Sequence, residues 1–111
     1  MTRHLEPDPH NSGKVWDDAL KALREECPPN GPVTVIRKNL KDCWGACSFD
    51  PETQSFSIVI QPHESLSYML DLLIHEWAHA MDWFSPEDGD TDHPASWGVA
   101  YARAYNAVMW R

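Results

Sequence analysis

Between Ser65 and Met81 the chain places Leu66, Met69, Leu70, Leu73, Ile74, Trp77 and Met81 every three or four residues, the period of one face of an α-helix. So apolar a helix must be buried, and the rest of the sequence has to supply the surfaces that cover it. Set into the same stretch are His75, Glu76 and His79. Burying two imidazoles and a carboxyl beside Leu73, Ile74 and Trp77 is costly unless something pairs them, and a metal ion would do so.

The covering elements are legible on both sides. From Ser12, a candidate N-cap, Val15, Trp16, Ala19, Leu20 and Leu23 recur at helical spacing until Cys27 meets Pro28-Pro29-Asn30-Gly31-Pro32, a hard stop. Three strand-like segments follow: Val33 to Arg37, Cys43 to Phe49, and Ser55 to Gln61, where Phe56, Ile58 and Ile60 alternate with their neighbours. The turn chemistry of Asp50-Pro51-Glu52-Thr53 predicts a hairpin between the last two, and a small antiparallel sheet is the economical arrangement. Residues 85–92 form a polar loop, and Pro94 opens a final helix with Trp97, Tyr101, Ala104, Tyr105 and Val108 along one stripe. The expected architecture is α+β: an N-terminal helix, a three-stranded sheet, the central helix and a C-terminal helix. Residues 12–111 make one domain, and residues 1–11, with two prolines and no periodic pattern, read as a flexible arm.

Composition narrows the function. The formal charge is -8, with seven Lys/Arg against eight Asp/Glu in residues 1–50 but two against nine in residues 51–111. A surface so charged repels phosphate backbones, so nucleic acid is not an expected partner; Arg37, Lys38 and Lys41 form a minor basic patch read as solvated. No apolar run reaches membrane-spanning length and the N-terminus lacks a signal-peptide pattern, so no membrane association is expected. Three cysteines, Cys27, Cys43 and Cys47, fit neither a disulfide framework nor a paired Cys zinc site. A reducing, cytoplasmic setting follows as the expectation, with Cys43 and Cys47 as small buried hydrophobes.

His75-Glu76-Trp77-Ala78-His79 is an H-E-x-x-H pattern. Four residues at about 100° each return to within about 40°, so both imidazoles stack one turn apart and can reach one zinc at about 2.0 to 2.1 Å. Glu76 projects about 100° away, where a carboxylate can touch a zinc-bound water without being a ligand. Catalytic zinc typically has three protein ligands, and His93, ahead of the last helix, is the best third. Asp82, Asp90 and Asp92 are alternatives, with Asp82 better placed as a partner of a ligand than as a ligand. Asp71, one turn before His75, is a candidate hydrogen-bond partner for that ring. His63 is read as a surface residue, and Tyr101 and Tyr105 as core packing.

His75-Glu76-Trp77-Ala78-His79-Ala80, then His93-Pro94-Ala95-Ser96-Trp97 thirteen residues on, resembles the H-E-x-x-H-A and downstream H-G-x-x-F/W of SprT-like (Spartan-type) zinc metalloproteases, with Pro94 where that family has Gly. Trp44-Gly45-Ala46-Cys47 and Ile58-Val59-Ile60 are similar to the hairpin that leads into the family's active-site helix. The resemblance spans roughly residues 33–105. It implies a compact zincin-type fold, one zinc held by His75, His79 and His93, and Glu76 as catalytic acid/base. It also implies a protein or peptide substrate bound in extended form along an edge strand, for which residues 55–62 are the candidate. The expected function is a zinc-dependent metallopeptidase; the alternative is a catalytically silent, zinc-stabilised protein-binding module of the same fold.

Overall fold

A computed structural model describes residues 12–85 and 94–110. The expected arm, residues 1–11, and the loop residues 86–93, including Asp90, Asp92 and His93, lie outside the described residues. The elements run α1 (Ser12–Glu26), β1 (Val33–Arg37), β2 (Gly45–Asp50), β3 (Ser55–Ile60), α2 (Leu66–Asp82) and α3 (Ala95–Met109), an α+β fold of three helices and a three-stranded sheet. Among the described residues no helix is long and apolar enough to cross a membrane.

The sheet departs from the sequence expectation in two ways. Its order is β1-β3-β2, and β1 pairs with β3 in parallel while β2 pairs with β3 antiparallel, so it is mixed. Residues 55–60 therefore form the central strand and not the edge strand assigned to them. The composition of β3 explains its place: Phe56, Ile58 and Ile60 are fully buried and no residue of the strand is charged, as suits a strand hydrogen-bonded on both sides. The connection from β1 to β2, residues 38–44, steps across the end of β3. It is pinned there by Lys38 N–H on the Ile60 carbonyl (3.1 Å), Leu40 N–H on Gln61 Oε1 (3.0 Å) and Gln61 N–H on the Trp44 carbonyl (2.8 Å). Seven residues reach across the two strand spacings, about 10 Å, with ease.

The β2–β3 hairpin forms as expected. Its turn holds Asp50 Oδ1 accepting from the Glu52 N–H at 2.9 Å, and Gln54 sits at φ 55°, a left-handed position that closes the loop. Gly31 packs against this turn so tightly that a Cβ there would lie 2.5 Å from the Gln54 carbonyl oxygen.

The helix α2 is covered from several sides, as its apolar periodicity demands. Leu70, Leu73, Ile74, Trp77, Ala78 and Ala80 are fully buried. Trp77 donates its Nε1–H to the Cys27 carbonyl at 2.8 Å, and Arg24, 5.7 Å above the Trp77 ring, donates to the Val33 carbonyl at 2.9 Å. These contacts lock the end of α1, the start of β1 and the middle of α2 together. Ser65 caps α2 by accepting from the Tyr68 N–H, and His63 Nδ1 accepts from the Ser65 N–H at 2.9 Å, so this exposed histidine helps to shape the helix entry. On α3 the buried line is Ala100, Ala104, Ala107 and Val108, while Tyr105 is exposed rather than in the core.

Candidate metal centre

The face of α2 that carries His75 and His79 meets the start of α3. The two imidazole centroids are 5.1 Å apart. Two imidazoles bound to one tetrahedral zinc at about 2.0 to 2.1 Å per Zn–N bond have centroids about 5 Å apart, so the spacing and donor chemistry of this pair fit a shared ion. Trp97, on the first turn of α3, walls the pair: its ring lies 4.9 Å from His75 and 5.5 Å from His79. Tyr101 stacks on Trp97 at 5.2 Å and donates its hydroxyl to Asp71 Oδ1 at 2.5 Å. Burial, and then that bond to Asp71, raise the Tyr101 pKa, and the bond ties Asp71 to α3, a role the sequence did not suggest for it. Asp82 likewise serves the α2–α3 junction, accepting from the Ser96 hydroxyl at 2.9 Å.

Glu76 faces the other way, toward β2. It is the buried charged residue among those described, 8% exposed, and none of the described residues hydrogen-bonds its carboxyl. Burial alone pushes its pKa up to about 7. The close neighbour is Gly45, where a Cβ would lie 3.3 Å from both Glu76 Cγ and Oε2. A strand glycine is one sign of a close approach, and here it lets the first residue of β2 lie directly against the glutamate. Cys47, two residues along the same face, also senses Glu76: burial, and then the nearby carboxylate, push its thiol up to about 12. Cys43, by contrast, is exposed, against the expectation of a buried small hydrophobe, because it lies in the connection ahead of β2 and not in the strand.

The structure thus brings His75, His79 and Glu76 to one turn of α2, with β2 on the glutamate side and Trp97 on the histidine side. Among the described residues no group of three or more His, Cys, Asp or Glu converges as a metal site; the expected third ligand, His93, lies outside them. Sequence reasoning missed Gly45 as the neighbour of Glu76 and Trp97 as the wall of the histidines. The first carried a signal in its glycine, while the second required knowing how α3 crosses α2. The chain matches no protein-family model, and none of the curated proteins compared with it matches it.

Proposed function

We propose that this protein is a zinc-dependent metallopeptidase in which Glu76 is the general acid/base and His75, His79 and His93 hold the metal. The observation that carries the reading is Glu76: a buried carboxyl without a partner among the described residues, held one position from a histidine pair of metal-binding spacing. A purely structural role gives no reason to bury such a group, whereas a carboxyl with a pKa near neutrality exchanges protons readily at physiological pH.

Zinc, when bound, supplies a Lewis acid for the scissile carbonyl and a water acidified toward a pKa of about 7. Glu76 accepts the proton of the attacking water and delivers it to the departing amine. Edge strand β2, which begins against Glu76, offers its outer N–H and C=O groups to an extended peptide backbone. This role replaces the one expected of residues 55–62. Trp97 limits water on the histidine side, where it packs against both rings.

The test is hydrolysis of an unfolded protein such as casein by the zinc-loaded chain and by its Glu76→Gln variant. The variant should keep its zinc and lose activity by about 10²-fold or more. Equal cleavage by both would overturn the mechanism, and stoichiometric zinc without hydrolysis in the wild type would return the binding-module reading.

A further inference from the structure

We propose that Tyr101, through its hydrogen bond to Asp71, is a positioning residue for the metal centre: it fixes Trp97, and Trp97 holds the His75 and His79 rings in the mutual orientation that zinc requires. The inference rests on the metal site of the metallopeptidase reading and adds to it residues placed behind the expected ligands.

The contacts form a closed circuit between α2 and α3. Asp71, one turn before His75 on α2, accepts from the Tyr101 hydroxyl at 2.5 Å. Tyr101 stacks on Trp97, one turn earlier on α3, with centroids 5.2 Å apart and planes 30° apart. Trp97 in turn lies 4.9 Å from His75 and 5.5 Å from His79. The path leaves α2 at Asp71 and returns to it at the two histidines. A second hydrogen bond, Ser96 to Asp82 at 2.9 Å, joins the same helices beyond His79. The two bonds therefore bracket the histidine pair, and each is directional where the ring packing between them is not.

That difference gives Tyr101 its role. An imidazole turns about two side-chain torsions, and freezing them on binding weakens affinity. Aromatic contacts tolerate a range of offsets and tilts, so the stack by itself lets Trp97 slide over the histidines. A hydrogen bond weakens steeply when bent, and the one to Asp71 fixes the stack at its far end. It lies at an exposed site, where water competes for both partners, so it contributes little to the stability of the fold. Its loss is read instead in how tightly the two rings take a metal ion. Partners behind metal ligands commonly change affinity by about 10- to 100-fold.

The test is a zinc titration of the full chain against a chromophoric chelator, with melting of the metal-free proteins and casein hydrolysis measured on the same samples. Tyr101→Phe keeps the stack and removes the hydroxyl; Asp71→Asn keeps an accepting oxygen and removes the charge. Tyr101→Phe and Asp71→Ala should each weaken zinc binding about tenfold, and the double variant no more than either alone. Asp71→Asn should stay within about twofold of wild type, since its amide oxygen still accepts from Tyr101. The melting temperature of metal-free Tyr101→Phe should remain within about 3 °C of wild type. Wild-type affinity in Tyr101→Phe, or a melting temperature that falls along with the affinity, would overturn the inference. So would Asp71→Asn as weak as Asp71→Ala, which assigns the effect to the Asp71 charge acting on His75. The expected pattern of affinities without casein cleavage by the wild type leaves the positioning role standing and removes the peptidase reading. Cleavage by the wild type with equal zinc affinity in every variant does the reverse, and a wild type that binds no zinc removes both.

Discussion

Glu76 stores a pH dependence that can be measured without any substrate. Its carboxyl titrates near 4.5 in an unfolded chain and about 7 in the fold, so between those values the folded state holds a proton that the unfolded state has released. Stability of the metal-free protein is therefore highest below pH 4.5 as far as this group is concerned, falls as pH rises toward 7, and stays reduced above it. Metal-free Glu76→Gln escapes the penalty and should be more stable than metal-free wild type by about 1–3 kcal/mol at pH 8, with the two converging below pH 4.5. Denaturant titrations of both proteins at pH 4 and pH 8 check this; coincident curves at pH 8 would show that the carboxyl is not desolvated. The cysteines give a second residue-scale outcome. Cys43 is exposed, Cys27 is buried with its thiol pKa raised, and Cys47 is pushed up to about 12, so an alkylating agent at pH 8 should label Cys43 in the native protein and all three after denaturation. Mapping the adducts by mass spectrometry decides it, and rapid native labelling of Cys47 would contradict its burial beside Glu76.

At the scale of elements, two glycines hold the sheet in place for different reasons. A Cβ on Gly31 would meet backbone, the Gln54 carbonyl oxygen at 2.5 Å, so Gly31→Ala should cost about 1–3 kcal/mol of stability wherever it is assayed. A Cβ on Gly45 would press at 3.3 Å on the Glu76 side chain and on Ile60 Cδ1. Gly45→Ala should cost about 1 kcal/mol or less in stability and, on the proposed metallopeptidase mechanism, lower peptide hydrolysis by about tenfold or more, because it would displace the Glu76 carboxyl. Thermal melts and kcat measured on the same preparations separate the two effects. The elements themselves were largely legible: the period of Leu66 to Met81, the proline-rich stop after Cys27 and the turn at Asp50 to Thr53 all mark structure that formed. What the pattern could not say was which strand is central. Alternation identifies the face of a strand, and the same alternation serves an edge or a centre.

For the whole molecule, the decisive measurement is metal content. Purified wild type should hold about one zinc per chain, and His93→Ala should lose it or bind it far more weakly, since two helical histidines alone are short of the three protein ligands typical of catalytic zinc. Full zinc in the His93→Ala protein would move the third ligand to another group, such as Asp90 or Asp92. Removing the metal with a chelator should also lower the melting temperature of the wild type, as any ligand bound only by the folded state does. The central helix brings two imidazoles and an ionisable carboxyl into a largely apolar surround, and α3 is tied to it by Tyr101 on Asp71 and Ser96 on Asp82.

Local periodicity was enough to give the number and kind of the elements, the burial of α2, and the placing of His75 and His79 one turn apart with Glu76 to the side. Each of these follows from local periodicity and from turn or stop residues, which act within a few positions of chain. Long-range packing alone revealed that β3 is inserted between β1 and β2, that Gly45 abuts Glu76, that Trp97 lies over the histidines, and that Phe49 packs against Trp83 and Phe84. Those are contacts between residues far apart in sequence. The sheet order arises because the most apolar strand gains most from pairing on both sides, and because a seven-residue connection is long enough to let it.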